Sequence, residues 1–147
     1  MQQVGKVISL FISNFSKREE QNSIEVDSRG IIDDKFYNKD INRSILITSI
    51  DSYKLATNKD IDINYGQLGE NILTDYNPYN LAVGARLKIG DAILEITQNC
   101  TLCKSLSKID SKLPKLLKDD RGIFAKVVKD GKLTKEDSIY LLNPKTT

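Results

Sequence analysis

The sequence predicts a mainly β, barrel-like domain with two or three short helical segments. The first reason is a series of roughly six or seven short apolar runs, each bounded by polar or glycine-containing turns. The second is that apolar residues recur at helical spacing in few places. The third is size, because 147 residues, 39% of them hydrophobic, suit one domain over residues 1–147 with its own core. Closing the strands into a barrel would cover their edges.

The first half of the chain alternates predicted strands with polar connections. Residues 5–13, 23–27 and 44–48 are rich in β-branched and apolar side chains, which is typical of strands. Residues 16–22 are mostly charged or polar and are predicted to form a loop. Residues 30–36 are predicted to form a glycine-initiated turn that carries two carboxylates and a lysine.

Two regions have helical character. Ser49 can cap a short helix that ends near Thr57, with Asp51 in its first turn, where a negative charge favours the helix dipole. A second region follows residue 103, and Pro114 is expected to divide it. Its apolar residues have spacings of three and four, as on one helix face: Leu106, Ile109, Leu113 and Leu116.

The remaining predicted strands lie in the second half of the chain. After a Gly90-Asp91 turn, the run from residue 92 to 97 alternates, with Ala92, Leu94 and Ile96 on one face. Residues 123–128 form another extended run, and the Asp130-Gly131 pair that follows predicts a hairpin with the next strand.

Composition excludes several classes of function. The 22 basic and 20 acidic residues leave a net charge of +2, so nucleic-acid binding is not expected. No apolar run approaches the roughly 20 residues that span a bilayer, and no secretory signal pattern is recognised, so we expect a cytoplasmic protein without a membrane partner. The chain has no histidine, which removes the usual general base, Ser-His and Cys-His pairs, and the commonest metal ligand.

Both cysteines follow the alternating strand, in the order Cys100-Thr-Leu-Cys103. Structural zinc normally takes four nitrogen or sulfur ligands, so two cysteines without histidine predict no zinc site. The spacing also occurs in dithiol redox sites, although the surroundings lack a βαβ pattern. Each cysteine could instead be a small buried hydrophobe. Because Lys104 is adjacent and Arg121 begins a later strand, Cys103 could be a thiolate nucleophile or a soft-metal ligand.

Several segments, in their order and spacing, resemble the MOSC family, the domain found at the C-terminus of molybdenum cofactor sulfurases and also in small stand-alone bacterial proteins. The likeness covers nearly the whole chain and is densest over residues 66–142. The segments are Gly69-Glu70-Asn71, Ile89-Gly90-Asp91-Ala92, Thr97-Gln98 with Cys103 five residues later, Arg121-Gly122-Ile123-Phe124-Ala125, and Asp130-Gly131.

This resemblance implies a pyruvate-kinase-type β-barrel-like fold and a cysteine that carries sulfur as a persulfide or binds the molybdenum of the pterin cofactor, molybdopterin. Spacing after Thr97-Gln98 assigns that role to Cys103. It also implies that Glu70, Asn71 and Arg121 bind the cofactor. Pyridoxal phosphate binding is associated with the family only through the sulfurases.

The N-terminal half carries a weaker form of the family pattern Gly-Leu-x-Gly-Asp-basic-His. In this chain Asp34 and Lys35 match the pattern in kind, whereas Asp33 and Phe36 depart from it. Arg43 stands where such proteins often have an arginine ahead of the next strand. The resemblance therefore adds Asp34, Lys35 and Arg43 to the candidate cofactor-binding residues.

The function implied is sulfur delivery or molybdenum-dependent reduction of N-hydroxylated compounds, that is, a sulfurtransferase or a molybdenum-dependent oxidoreductase. The sulfur donor, a cysteine desulfurase, or the electron donor would be a separate protein. Two alternatives stay open. One is a non-catalytic interaction module on the same barrel, and the other is a thiol-disulfide redox protein that uses Cys100 and Cys103.

Overall fold

The computed structural model describes residues 1–14, 17–101 and 104–142. Strands dominate this part of the chain, and the helices are short. In chain order the elements are β1 (Gln2–Ser13), β2 (Arg18–Gln21), β3 (Ser23–Asp27), β4 (Gly30–Ile31), a 3-10 helix (Ile41–Arg43), β5 (Ile45–Ser49), α1 (Ile50–Thr57), β6 (Ile72–Thr74), β7 (Arg86–Ile89), β8 (Ala92–Asn99), α2 (Lys104–Ile109), α3 (Leu113–Leu116), β9 (Ile123–Lys129), β10 (Gly131–Thr134) and β11 (Ser138–Leu141).

Seven strands close into a barrel in the order β1-β11-β7-β8-β9-β5-β6, and β6 pairs with β1 to complete the circle. Neighbouring barrel strands are antiparallel except β5 and β6, which are parallel. A parallel pair needs a crossover, and α1 with the loop after it provides one. A smaller sheet has the order β10-β3-β4. The mainly β, barrel-like architecture predicted from the sequence is confirmed.

The barrel interior holds the main apolar core. On β8 the side chains of Ala92, Leu94 and Ile96 are buried and alternate with partly exposed neighbours, as the sequence predicts. A second apolar cluster lies between the barrel wall and the helices, where Tyr53 of α1 and Leu113 of α3 pack with Leu73 of β6. The helices therefore cover one side of the barrel.

The predicted cap of α1 is present. Ser49 has extended backbone angles, and its hydroxyl accepts a hydrogen bond from the backbone N–H of Asp51 at 3.0 Å. The second helical region is divided as predicted, into α2 and α3. Pro114 lies in the first turn of α3, where a missing N–H costs no helical hydrogen bond.

Two expectations from the sequence are wrong. Part of the expected loop at residues 16–22 is strand β2, which pairs with β1 from Leu10–Gln21 to Ser13–Arg18. β2 is an edge strand that is held by backbone pairing with β1, and all of its residues are polar. The sequence therefore has no apolar alternation here that would predict a strand.

The predicted hairpin at Asp130-Gly131 is the second error, because β10 pairs with β3 and not with β9. The chain crosses to the smaller sheet at Gly131, close beside the turn between β7 and β8. A Cβ atom at Gly131 would lie 2.6 Å from the carbonyl carbon of Asp91. The glycine therefore permits a close backbone approach. The Asp-Gly sequence alone does not distinguish this use of glycine from its use in a hairpin turn.

None of the helices within the described ranges combines the length and the apolar character that crossing a membrane requires.

Replacing Leu94 by alanine should lower the free energy of unfolding by about 2–5 kcal/mol, because it leaves a cavity inside the closed barrel. Urea denaturation followed by far-UV circular dichroism measures the change. The control is Val128→Ala on β9, since Val128 is 41% exposed and its truncation should change stability by about 0.5 kcal/mol or less. Equal losses in the two variants would contradict the placement of Leu94.

Candidate anion-binding site

A pocket of about 550 Å³ lies at one end of the barrel, between the end of β1, the connection from β4 to β5, and the starts of β6 and β9. Five basic side chains and one acidic side chain line it, so its electrostatic potential favours anions. Its lining residues are Ser13, Arg18, Lys35, Phe36, Lys39, Asp40, Arg43, Leu46, Gly69, Asn71, Cys100, Arg121 and Phe124.

Arg121 is placed in the pocket by tight backbone packing. A Cβ atom at the next residue, Gly122, would lie 2.9 Å from Cδ1 of Leu46, so only glycine allows the chain to pass this close to β5. The guanidinium Nη1 of Arg121 donates a hydrogen bond to the carbonyl oxygen of Leu68. Gly69, with a φ of +88°, turns the chain beside the same guanidinium. Arg121 is thereby held against the turn before β6.

Arg18 enters the pocket from β2. Its Nη1 donates to the hydroxyl of Ser13 at 2.6 Å, and its Cζ lies 5.5 Å from the ring centroid of Phe11. Its Nε and Nη2 are buried, and neither has a hydrogen-bond partner among the described residues. Burial lowers the pKa of Arg18, and the charges of Glu70 and Asp34 oppose that lowering. The side chain stays charged because an arginine does not deprotonate in proteins.

Aromatic rings support two of the other cations. The Cζ of Arg43 lies 4.9 Å from the ring centroid of Phe124, and the Nζ of Lys35 lies 5.0 Å from that of Phe36. Both distances are within the range of cation–π attraction. Phe36 is 52% exposed, so an apolar ring lies open to solvent at the mouth of a cationic pocket.

Asp34 is buried and acts on the pocket through the backbone. Its carboxylate accepts hydrogen bonds from the N–H groups of Ser13 at 2.7 Å and Phe36 at 3.0 Å. The N–H of Lys35 donates to the carbonyl of Ser13 at 2.7 Å. Asp33, whose φ is +75°, allows the chain to reverse just before these contacts. Asp34 thus fixes the turn that presents Lys35 and Phe36.

Glu70 is fully buried and does not line the pocket. Its Oε2 accepts a hydrogen bond from the Tyr53 hydroxyl at 2.6 Å and one from the Gly66 N–H at 3.2 Å. Its Oε1 is buried, without a hydrogen-bond partner in the described parts of the chain. Burial raises the pKa of Glu70, and the hydrogen bond from Tyr53 opposes this. Burial also raises the pKa of Tyr53.

Asn71 lines the pocket while joining two strands. Its Oδ1 accepts a hydrogen bond from the N–H of Leu46 at 3.0 Å, and its Nδ2 donates to the carbonyl of Phe11 at 3.2 Å. These contacts connect β5 with β1. One amide hydrogen of Nδ2 is left for a ligand, because each side-chain amide has two.

Of the two cysteines, the structure describes Cys100 and not Cys103. Cys100 follows β8 and is 4% exposed, packed with Leu46 and Phe124, and it forms part of the pocket wall. Its N–H donates to the carbonyl of Gly122 at 3.0 Å. Cys103, the candidate sulfur carrier and molybdenum ligand, lies outside the described residues.

Within residues 1–14, 17–101 and 104–142, there is no group of three or more histidine, cysteine, aspartate or glutamate side chains suited to hold a metal ion.

A family model of the MOSC domain matches residues 33–140. The chain belongs to the MOSC domain family. A comparison with curated protein sequences gives no significant match.

Solved structures with the same fold include small bacterial proteins. The YUAD protein from Bacillus subtilis matches with a TM-score of 0.80 and 19% identity, over 92% of this chain and 93% of that protein. YiiM from Escherichia coli matches with a TM-score of 0.71 and 15% identity, over 94% and 70%. YiiM from Geobacillus stearothermophilus matches with a TM-score of 0.66 and 14% identity, over 97% and 75%. At these identities the likeness establishes the MOSC fold alone.

The MOSC residues expected at the site divide into two groups. Arg121, Asn71, Lys35 and Arg43 line one pocket, whereas Asp34 and Glu70 are buried and absent from its lining. Sequence reasoning overlooked other lining residues, among them the cations Arg18 and Lys39 and the ring of Phe124. Arg18 had a usable signal, because arginine occurs only five times in this lysine-rich sequence. The roles assigned to all these residues are still predictions.

Replacing Asn71 by alanine should destabilise the protein by about 2–4 kcal/mol, because the buried N–H of Leu46 and carbonyl of Phe11 each lose a partner. Chemical denaturation at neutral pH measures the loss. The matched control is Asn80→Ala, since Asn80 is exposed. Equal stability of the two variants would show that the Asn71 amide does not join β1 to β5.

Replacing Glu70 by glutamine should remove a dependence of stability on pH. When folding raises the pKa of a carboxyl, the protonated group stabilises the protein at pH values below the pKa of the unfolded state. This stabilisation is lost as the pH rises through the pKa of the folded state. The wild type should therefore lose stability relative to Glu70→Gln as the pH rises from about 4, the ordinary carboxyl pKa, towards alkaline values. Denaturation of both proteins across this range measures the difference, and parallel curves would contradict a raised pKa of Glu70.

Proposed function

We propose that this MOSC domain binds the molybdenum cofactor in the basic pocket and that Cys103 carries sulfur as a persulfide or binds the molybdenum. The proposal combines the family of the chain with the chemistry of the pocket. Molybdopterin joins a phosphate monoester to a fused ring system that contains a pterin, so a protein that holds it needs cationic donors and a surface for the rings.

The observation that carries the proposal is the state of Arg18. The Nε and Nη2 groups form one edge of the guanidinium, the edge that binds an oxyanion through two parallel hydrogen bonds. Neither group has a partner in the described chain, although both are buried. A buried donor without a partner costs about 1–3 kcal/mol, so an anion that reaches this edge gains hydrogen bonds without breaking others. The residues present therefore fit a phosphate group.

The other lining residues suit the rest of the cofactor. Arg121 adds a second guanidinium opposite the turn at Gly69, and Lys35 and Lys39 add flexible cations. The exposed ring of Phe36 offers an apolar face on which a planar ring can stack. When bound, the molybdenum cofactor supplies a metal centre that can receive sulfur or take part in oxygen-atom transfer.

Cys103 is the candidate sulfur carrier. It follows Cys100 by three residues in the sequence, and Cys100 is part of the pocket wall. A cationic surrounding favours the thiolate, which is the form that accepts sulfur and binds a soft metal. Sulfur delivery would take place with a separate cysteine desulfurase, whereas reduction of N-hydroxylated compounds would need a separate electron donor.

Purification from cells that make the cofactor should give protein with bound molybdenum and pterin, and Arg18→Gln should reduce both by about tenfold or more, through loss of a charge-assisted bidentate contact. Molybdenum is measured by elemental mass spectrometry, and pterin by fluorescence after oxidation. The matched control is Arg29→Gln, because Arg29 is exposed and is not part of the pocket lining. Equal loading of the two variants would contradict the role of Arg18.

Cys103→Ser provides a second arm of the same experiment. It should abolish the persulfide detected by intact-protein mass spectrometry while pterin stays bound. Wild-type protein that lacks molybdenum, pterin and persulfide would overturn the proposal. If Cys103→Ser also leaves every cellular phenotype intact, the barrel acts as an interaction module instead.

A further inference from the structure

Glu70 is a buried acid beside a pocket for anions, although it does not line that pocket. Gly69 and Asn71 line the pocket, while the carboxylate of Glu70, which lies between them in the sequence, is hydrogen-bonded to Tyr53 of α1. Glu70 therefore reaches a bound anion only through other residues.

One connection from Glu70 to the pocket is mechanical. The Tyr53 hydroxyl donates to Glu70 and accepts hydrogen bonds from the N–H groups of Gly66 at 3.0 Å and Leu68 at 3.2 Å. The carbonyl of Leu68 in turn accepts a hydrogen bond from Arg121. The Tyr53–Glu70 pair thus fixes the turn that holds Arg121, a buried arginine of the pocket.

The other connection is electrostatic. The charges of Glu70 and Asp34 both act on Arg18, yet Glu70 and Arg18 form no ion pair, and Nε and Nη2 of Arg18 and Oε1 of Glu70 are all buried without a hydrogen-bond partner among the described residues. The ionisable groups that interact with Glu70 include Arg18 from β2, Tyr53 from α1 and Tyr79 from the segment after β6. A charged Glu70 offsets part of the positive potential in the pocket.

We propose that Glu70 is a positioning residue of the anion site, which acts through Arg18 and Arg121 and strengthens anion binding when it takes up a proton. A neutral Glu70 still accepts the hydrogen bond from Tyr53, so the turn keeps its shape, while the Arg18 guanidinium is no longer offset by a charge on Glu70. This role rests on the proposed function, because it would regulate anion binding in the same pocket. By linkage, a bound anion must also favour the protonated form of Glu70.

The composition of the chain makes the effect of Glu70 on anion binding easy to separate from the effects of other titrating groups. The chain has no histidine, so an ordinary titration between pH 5 and pH 8 has few sources. Burial raises the pKa of Glu70, and among the described carboxyls it is the one with a clear upward change. Sulfate is a suitable probe, because it remains a dianion throughout the range.

The test is sulfate binding to the cofactor-free full-length protein from pH 5 to pH 9, measured by isothermal titration calorimetry at constant ionic strength. We expect wild-type affinity to rise by about tenfold on acidification, a typical size for coupling between two sites. Glu70→Gln should bind sulfate at pH 9 as tightly as the wild type does at pH 5, with a flat pH profile. Asp51→Asn, which alters an acid near the start of α1 away from the pocket, is the matched control and should retain the wild-type profile.

A second measurement does not depend on the folding of Glu70→Gln. Carbon-13 NMR of the side-chain carboxyls should show that saturating sulfate raises the pKa of Glu70 in the wild type. Tyr53→Phe should raise it further, because the hydrogen bond that stabilises the carboxylate is gone.

The outcomes separate this role from the proposed function. Sulfate binding with a flat wild-type profile, or an equal slope in Glu70→Gln, overturns the role of Glu70 and leaves the anion pocket intact. A wild type that binds no sulfate at any pH overturns both. Sulfate binding with the expected profile but no cofactor in protein from cofactor-producing cells supports Glu70 and contradicts the proposed function.

Discussion

The geometry of the pocket depends on Asn71. Its backbone N–H donates to the carbonyl of Leu46 at 2.9 Å, and its carbonyl accepts from the N–H of Phe11 at 2.8 Å. Its side-chain amide bonds the complementary groups of the same two residues. Asn71, the residue before β6, therefore forms hydrogen bonds with β5 on one side and with β1 on the other. It sets the spacing between these strands where the pocket opens. A residue with a longer or charged side chain could not bond both backbones in this way.

This spacing brings together two arginines that are far apart in the sequence. Arg18 is carried by β2, which pairs with the end of β1, and Arg121 precedes β9, which pairs with β5. Both guanidinium groups are largely removed from water, where a charge is costly unless partners are present. Arg121 bonds the Leu68 carbonyl, and Arg18 bonds the Ser13 hydroxyl. The buried Nε and Nη2 of Arg18 have no partner among the described residues, and this is the physical reason for expecting a ligand anion here.

Sequence patterns predicted those features that depend on local periodicity. The alternation of Ala92, Leu94 and Ile96 and the cap at Ser49 follow from rules that act over a few residues, and the structure agrees with them. Strand β2 could not be predicted, because only its pairing with β1 makes it a strand. Arg18 was overlooked for the same reason. Glu70 shows a different limit. Its neighbours Gly69 and Asn71 line the pocket while its own carboxylate bonds Tyr53 of α1, an orientation that follows from the turn at Gly69 and from tertiary contacts, not from a sequence pattern.

The absence of histidine shapes the chemistry that this barrel can perform. Histidine is the side chain whose ordinary pKa lies nearest to neutral pH, so without it the basic pocket lacks the usual means of responding to protons. A response requires a carboxyl that is moved out of water, as Glu70 is, and bonded on one oxygen only. A carboxyl placed against the guanidinium of Arg18 would instead compete with the ligand for its hydrogen bonds. Placing the acid one residue away from the pocket surface separates these effects, since its charge reaches the arginines while its atoms stay out of the ligand's way.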